Sequence, residues 1–458
     1  MNRLLKAVLA IAAALLSATG ASLAAASEPL DVHVVVALAL ERNPALKSIE
    51  ERQNELDGGI REAKADAFPQ LALRSSWSQN RSPSLLNSPD FEEFLEFIPD
   101  FKPAVAELYN VSLEASQPLY TAGKVGSAIK LAKLAADISH AQIEVARLDT
   151  AAAAAETYFR LLEAQKGLAT IEIQQQTRRE SLEVVVARYE LGEATELERL
   201  QAEAALAELQ PTVDAARGQV RVAEISLRAV LNLPDSTEIT VEEMSDPPPD
   251  LPVSAKAMEL ARANRPEFDD LELQITALEK QARITRAEGL PQIDLTGSYG
   301  HSVRLFDDIN DSRFKDWAFA LGMRWEFFDG GRRQGRVSQL ESQQRQLEWQ
   351  LAALTNQVKQ EVEEAVTEYA TALSRWNATE ISARAAREAS RVARESYQEG
   401  VAIQADWLNA QEREIQAEVV LVQAYYGARI RAARLARAVG LLANEAWGLT
   451  RESEGNES

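Results

Sequence analysis

Residues 189–202, "YELGEATELERLQA", return 208 positions later as residues 397–410, "YQEGVAIQADWLNA". The two stretches share Tyr, Gly, Ala, Leu and Ala at the same places. Each also has an acid at its tenth position, Glu198 in the first stretch and Asp406 in the second. Five identities in fourteen positions are weak evidence, so the offset has to hold elsewhere along the chain.

The repeat extends well beyond these two stretches. The same offset of 208 aligns Gly123 with Gly331, and nearer the N-terminus an offset of 222 aligns Pro69 with Pro291. The first copy therefore carries 14 extra residues between Pro69 and Gly123. One register that is kept over about a hundred residues and shifts once indicates a tandem duplication.

The duplication divides the chain into segments. We predict a first repeat at 27–233 and a second at 253–443, joined by a proline-rich connector at 234–252. The polar residues at 444–458 are expected to form a disordered tail. The 14 extra residues fall in the loop at 80–104, for which the sequence indicates no role.

The N-terminus has the layout of a cleaved secretory signal. Arg3 and Lys6 precede an apolar run at residues 7–16, and small residues follow up to Ala26. The alternative is an uncleaved anchor helix, but the run is shorter than the ~20 residues that span a bilayer. The sequence therefore predicts an exported protein whose signal peptide, residues 1–26, is removed.

Composition excludes several classes of function. The 49 basic and 70 acidic residues give a net charge of −21, which argues against nucleic-acid binding and against adsorption to anionic lipid as the main activity. With no cysteine, the chain has neither disulfides nor a lipid-bearing Cys. The three histidines, His33, His140 and His301, lie far apart in the sequence. We therefore expect no metal site, no cofactor and no enzymatic activity.

The opening motif is predicted to be the turn of a long helical hairpin. Residues 124–191 contain no proline and only two glycines, which indicates a helix of roughly 100 Å. Apolar residues repeat along it with the heptad spacing of a coiled coil, which fails at Lys166 and ends at Gln176. The predicted core positions include Leu148, Ala155, Leu162, Ala169 and Ile173. Gly192 then ends the helix, and Thr195 can cap the next one. The second repeat has the same plan, with a long helix at 332–399 that ends at Gly400.

Four segments alternate between apolar and polar residues and are predicted to be strands. They are residues 71–77, 109–115, 292–299 and 317–327. The clearest, "WAFALGMRWEF", has the length and terminal aromatics of a transmembrane strand, although a soluble hairpin remains an alternative. The helices leave no core for these strands to cover. We therefore expect lipid to contact one face of the last strand, at Trp317, Phe319, Leu321, Met323 and Trp325.

The order of these motifs resembles the TolC-like family of outer membrane efflux proteins. The resemblance rests on pairs of motifs, one in each repeat: "ALERNPALK" and "ARANRPEFD", "FPQLAL" and "LPQIDL", "QPLYTAGK" and "EFFDGGRR", and the two Tyr-x-x-Gly turns. It implies a mainly helical fold with a small β part. Long antiparallel coiled-coil hairpins would form an α-barrel, and four strands per chain would contribute to a twelve-stranded β-barrel shared by a trimer.

The resemblance also implies location and partners. The chain would lie in the outer membrane of a Gram-negative bacterium, with a large periplasmic portion. It would be the passive exit duct of a tripartite efflux system or a type I secretion system, gated at its periplasmic tip. Its partners would be two further copies, a periplasmic adaptor (membrane fusion) protein and an inner-membrane transporter. Drugs, metals and proteins all remain open as transported substrates.

Two groups of tip residues are implied by the same resemblance. The family often has two aspartates one helical turn apart where the tunnel narrows; here those positions hold Asp406 and Asn409, and the duplication adds Glu198. A second reading treats the acids as solvated residues in first helical turns, which the helix dipole stabilises. Bonds between the hairpins are expected from Tyr397, Tyr189 or Arg199. The tip turns and the expected adaptor-docking residues are Gly192, Gly400, Tyr189, Tyr397, Leu200 and Leu408.

A periplasmic coiled-coil scaffold or adaptor without a membrane span is the alternative function. Such a protein needs helical hairpins but has no need for four alternating strands. The sequence does not explain Gly58 and Gly59, which lie inside a predicted helix, where each costs about 1 kcal/mol relative to Ala.

Overall fold

The computed structural model describes residues 29–80, 106–243, 247–248, 254–304 and 306–442. The predicted signal peptide at 1–26 and the predicted tail at 444–458 lie outside these residues. So do nearly all of the 80–104 loop and much of the connector. In the described ranges, no helix combines enough length with enough apolar character to cross a bilayer.

The described elements repeat in the same order. The first repeat contains α1 (Val32–Arg42), α2 (Pro44–Ala65), β1 (Gln70–Asn80), β2 (Ala106–Tyr120), α3 (Lys124–Glu190) and α4 (Glu196–Leu231). The second contains α5 (Ser254–Asn264), α6 (Pro266–Ala287), β3 (Gln292–Val303), β4 (Lys315–Arg324), α7 (Arg332–Gln398) and α8 (Gln404–Ala438). Two short 3-10 helices, Phe306–Asn310 and Ser312–Phe314, precede β4. The long helices α3 and α7 have 67 residues each and end within one residue of their predicted ends. The mainly helical fold with tandem repeats is therefore confirmed.

Backbone conformation records the duplication independently. In the described residues, every residue with a positive φ has a counterpart 208 positions away that also has one. The counterparts include an Asn that aligns with a Gly and an Ala that aligns with a Gly, so the conformation is kept where the residue type is not. The four pairs are Ala122 with Gly330, Gly123 with Gly331, Gly192 with Gly400, and Asn232 with Gly440.

The described residues form two compact units. One contains the residues up to Leu46, Arg147–Asn264 and the residues from Gln360 onward, and its described elements are helical. The other contains Lys47–Ala146 and Arg265–Lys359, and it holds all four strands. The two long helices therefore contribute residues to both units.

The core of the helical unit begins with α1. Val32, Val35, Val36 and Ala39 are fully buried, and their spacing puts them on one face of the helix, which packs on α4. Asp31 caps α1 by accepting a hydrogen bond from the Val34 amide at 2.7 Å.

A buried arginine is the least expected member of this core. The Arg429 side chain is 0% exposed, and its guanidinium donates to the Tyr425 hydroxyl at 2.8 Å. The same guanidinium lies 4.9 Å from the ring centroid of Tyr425 and 5.8 Å from that of Phe159. Two aromatic faces and a hydroxyl thus offset part of the cost of burying this charge between α3 and α8.

The predicted heptad register holds only for the first part of α3. Leu148, Ala155 and Leu162 are buried as predicted. Beyond them, Ala169 and Ile173 were expected inside, but both are exposed, Ile173 at 65%. The buried stripe resumes in a frame shifted by two residues, at Ile171, Gln174, Arg178, Ser181 and Val185. The heptad register expected as far as Ile173 was therefore wrong beyond Leu162.

All four predicted strands are present, in one antiparallel sheet with the order β1-β2-β3-β4. Leu113 pairs with Leu73 on one side and with Tyr299 on the other, and Tyr299 pairs with Trp317. This register gives one face a row of large apolar side chains. The edge strands β1 and β4 are each paired on one side only in the described chain.

The last strand is shorter than its alternation predicted. β4 ends at Arg324, although the pattern continues to residue 327. Trp325 lies outside the ladder, and its indole N–H donates to the Gly289 carbonyl at 3.1 Å. Trp325 therefore lies beyond the strand rather than at its end, which corrects that part of the prediction.

Candidate functional site

The two tip turns, where each long helix reverses, share one backbone geometry. The left-handed Gly192 ends α3 with a φ of 76°, and Gly400 ends α7 with a φ of 73°. The amide of the next residue donates a hydrogen bond back to the helix end. The Glu193 amide donates to the Arg188 carbonyl at 2.8 Å, and the Val401 amide donates to the Ser396 carbonyl at 2.9 Å. This is the Schellman arrangement, which needs a residue without a Cβ penalty at the glycine position. The turns predicted at Gly192 and Gly400 are thus observed.

The helices that follow the two turns begin differently. Thr195 and Glu198 form a capping box: the Glu198 carboxylate accepts from the Thr195 amide at 2.6 Å and the Glu198 amide donates to the Thr195 hydroxyl at 3.3 Å. The equivalent N-cap of α8 is Ile403, which makes no side-chain cap bond. Glu198 is therefore held as a helix cap. Asp406 is exposed and has no hydrogen-bonded or ionic side-chain partner in the described residues.

Side chains join the two hairpins directly beneath the turns. The Gln404 side chain, 2% exposed, donates to the Glu198 carbonyl at 3.1 Å. Arg188 donates to the Tyr397 carbonyl at 3.1 Å, and its guanidinium lies 4.8 Å from the centroid of the Tyr397 ring. Trp407 stacks on the same ring, with the two ring centroids 5.2 Å apart, and both rings pack with Val185 and Ala202 of the first hairpin. The second tip is thus fastened to the first through Gln404, Tyr397 and Trp407.

The contacts expected for two of the linking candidates were wrong. Arg199 forms an ion pair with Glu203 and lies 5.7 Å from the ring centroid of Tyr189, so both stay within their own hairpin. Tyr397 does contribute, through its carbonyl and its buried ring. Burial raises the pKa of its phenol, which the nearby Arg188 partly counteracts.

A second layer of links lies deeper and was not foreseen. The Gln411 amide, 1% exposed, donates to the Ser181 hydroxyl at 3.0 Å. The nearly buried Arg178 pairs with Glu412 at 2.8 Å. The sequence did contain a signal for a buried face of α8, because the spacing of Gln404, Trp407 and Gln411 places them on one side of the helix. The partners of Gln404 and Gln411 lie more than 200 residues away, however, and depend on how α8 is rotated against α3.

The predicted constriction residues lie on the opposite face of α8. Asp406 and Asn409 are one turn apart and both are exposed, whereas Gln404 and Trp407 are buried. Their role at a constriction stays a prediction.

The expected docking residues have unequal access. Leu200 is 48% exposed and Tyr189 39%, Leu408 is half-buried, and Tyr397 is only 3% exposed. Tyr397 therefore supports the turn from beneath and offers almost no surface of its own. Four further apolar residues at the turns are exposed that the sequence reading had not selected: Leu191, Leu197, Val401 and Ile403.

The sheet presents two chemically distinct faces. Trp317, Phe319, Leu321 and Met323 of β4 are each 68–72% exposed and lie on the apolar face. The opposite face carries small and polar side chains, including an Arg74–Glu114 ion pair at 3.4 Å. The described residues contain no cluster of His, Asp or Glu side chains suited to holding a metal ion.

Comparison with known families identifies the chain. Residues 35–233 and 257–441 match the family described as "Outer membrane efflux protein". The chain belongs to the outer membrane efflux protein family. Each of the two matched segments covers most of one repeat.

Individual relatives of this efflux protein are distant but match along its length. Outer membrane protein OprJ of Pseudomonas aeruginosa is 24% identical over 417 residues, which are 89% of this chain and 83% of OprJ. A solved membrane protein of Pseudomonas aeruginosa superposes with a TM-score of 0.76 at 22% identity, over 89% of this chain and 92% of the other. The outer membrane protein VceC of Vibrio cholerae gives 0.73 at 21%, over 89% and 96%. The two superpositions establish a shared fold.

Family membership decides between the functions that the sequence left open. The efflux protein is a protein of the Gram-negative outer membrane with a large periplasmic part, and it serves efflux as an exit duct. The alternative of a periplasmic scaffold is therefore wrong. A family of outer membrane channels indicates transport rather than catalysis.

Proposed function

We propose that three copies of this chain close one barrel and form a passive duct through the outer membrane. The observation that supports this most strongly is the pair of unpaired sheet edges, β1 and β4. Unpaired backbone groups cost several kcal/mol each in lipid, so the edges of neighbouring copies must pair. Two copies would supply eight strands, whose side chains nearly fill a barrel, whereas three copies leave a channel.

We propose that the tip turns form the end of the duct that is gated and that binds a partner protein. Asp406 and Asn409 share an exposed helix face, and in a trimer each would recur three times around one axis, with Glu198 nearby. Charged rings of this kind select cations.

The docking partner that we propose is a periplasmic adaptor joined to an inner-membrane transporter. The exposed apolar residues around Gly192 and Gly400, among them Leu197 and Val401, give that adaptor a surface. Two relatives are named for export and efflux, OpmQ and BepC, which supports transport out of the cell.

Cross-linking tests the trimer, because the chain has no cysteine of its own. Ala72→Cys on β1 is combined in turn with Ala318→Cys, Ala320→Cys and Gly322→Cys on β4, all on the polar face. At least one combination is expected to give covalent trimers on a non-reducing gel. The single Ala72→Cys variant is the matched control and should give none. Membrane fractions in which all three combinations remain monomeric would refute the shared barrel.

A further inference from the structure

The four junctions between strands and helices share one arrangement. Each has an exposed large side chain at the end of the sheet and a basic residue four positions further into the helix. The four large side chains are between 48% and 79% exposed. The pairs are Phe68 with Lys64, Tyr120 with Lys124, Leu290 with Arg286, and Phe328 with Arg332.

These pairs coincide with the duplication. Lys64 aligns with Arg286 and Phe68 with Leu290 at the offset of 222, and the other two pairs align with each other at 208. At each position the residue type changes between the copies, but its character does not. The arrangement therefore belongs to the repeat unit, and no single junction is exceptional.

Charge at the junctions is opposite in sign to that of the chain. The ten residues nearest the sheet in α2, α3, α6 and α7 together carry 11 Lys or Arg and 4 Asp or Glu, a net charge of +7. The whole chain carries −21. The ten residues nearest the tip turns in α3, α4, α7 and α8 carry 5 basic and 8 acidic residues, a net charge of −3. Positive charge is thus concentrated beside the sheet.

Many of these charges have no ion-pair partner among the described residues. Lys64, Lys124 and Arg332 form no ion pair with any described residue, and the same holds for Arg61, Lys130, Lys133 and Arg283. Arg286 pairs with Glu341 at 2.7 Å, and Arg336 pairs with Glu288 at 3.3 Å. The unpaired side chains therefore remain available to anions from outside the chain.

We infer that this collar, the four junction pairs with their neighbouring Lys and Arg residues, binds anionic phospholipid headgroups of the periplasmic leaflet. Large amphipathic and apolar side chains favour the boundary between hydrocarbon and headgroups, and basic residues just beyond it attract lipid phosphates. The inference rests on the proposed lipid-crossing sheet. In such a membrane the lipid phosphates would lie just beyond the hydrocarbon, beside the unpaired Lys and Arg side chains of the collar.

The test compares two charge-matched triple variants of the full-length protein. The collar variant carries Lys64→Gln, Lys124→Gln and Arg332→Gln. The control carries Arg179→Gln, Arg221→Gln and Arg394→Gln, which remove the same charge from exposed helix positions without ion-pair partners. Native mass spectrometry in detergent measures binding of phosphatidylglycerol and of phosphatidylethanolamine. We expect at least tenfold weaker phosphatidylglycerol binding in the collar variant and less than a twofold change in the control.

Three results would contradict the binding of anionic lipid by the collar. These are unchanged phosphatidylglycerol binding in the collar variant, an equal loss in the control, or equal binding of both lipids by the wild type. Glycerol phosphate at the same concentration tests a free-phosphate site, and a thermal stabilisation equal to that by phosphatidylglycerol would also contradict a lipid surface.

Conductance in zwitterionic bilayers is expected to be the same for both variants and the wild type. A silent wild type would count against the duct, whereas lost lipid discrimination in a conducting protein counts against the collar alone.

Discussion

Glu198 and Asp406 show how one ancestral position can acquire two roles. The capping box holds the Glu198 carboxylate to its own helix, whereas the Asp406 side chain is exposed without a partner in the described residues. The sequence predicted both acids in first helical turns and Thr195 as a cap, but it did not compare Thr195 with its counterpart Ile403. The difference arises from Thr195, a side chain that can cap, and Ile403, which cannot.

The exposed acid leads to a prediction for conduction. Asp406→Ala is expected to lower cation selectivity and divalent-cation block in planar bilayers, because a ring of three carboxylates near one constriction attracts cations. Asn409→Asp should strengthen the block. Glu198→Ala is the comparison, and we expect it mainly to destabilise the tip, because it removes one half of the capping box. If selectivity and block are unchanged in Asp406→Ala, in Glu198→Ala and in the double variant, the gate does not involve these residues.

Glu163 of α3 leads to a pH-dependent prediction. Burial raises the pKa of its carboxyl, and Arg160 only partly counteracts this. Below the pKa that Glu163 has in the unfolded chain, its carboxyl is protonated in both states and ionisation costs no folding stability. As pH rises through the higher pKa of the folded protein, the buried carboxyl must ionise, and the folded state loses stability. Glu163→Gln should unfold at a higher temperature than wild type at pH 7 and at the same temperature near pH 4. A difference of equal size at both pH values would contradict this.

At the scale of elements, sequence periodicity predicted the individual strands and helices. The strands and the long helices follow from patterns of two and seven residues, and their existence was read correctly. The end of β4 was not, because the bond from Trp325 to the Gly289 carbonyl lies outside any alternation. The register shift in α3 and the link from Gln404 to Glu198 depend on packing between distant segments. Sequence patterns carry no information on such rotations.

The turn glycines can be tested against a helix glycine. Gly400→Ala should lower the free energy of unfolding by about 1–2 kcal/mol, since an L-residue is strained at a φ of 73°. Gly59 lies inside α2, where an added Cβ would meet nothing within 4 Å, so Gly59→Ala should stabilise by about 0.5–1 kcal/mol. Thermal unfolding of both variants gives the comparison. Effects of the same sign would contradict the assigned turn geometry.

The two faces of β4 give a second pair of variants. Leu321 lies on the apolar face and Ala320 on the polar face. Leu321→Arg should destabilise assembly by about 2–4 kcal/mol if it is near the bilayer midplane, whereas Ala320→Arg should have little effect. The measurement is the yield of heat-modifiable trimer in outer membranes. Equal yields from the two variants would show that the face toward lipid was assigned incorrectly.

At the scale of the whole molecule, the chain has features that a single copy leaves unfinished. Its sheet has two open edges, and its apolar strand face and tip residues are exposed. The chain also carries a net charge of −21. The family match indicates the outer membrane as the destination. In the proposed trimer the sheet edges pair with one another, and lipid covers the apolar strand face.

Single-channel recording tests the account most directly. Purified wild-type trimer added to a planar lipid bilayer is expected to produce discrete, ohmic and cation-selective conductance steps, because a passive duct needs no energy source. The step size should not change when Trp349, an exposed residue on α7, is replaced by Ala. A bilayer that stays silent while native mass spectrometry shows inserted trimers would contradict the proposed duct.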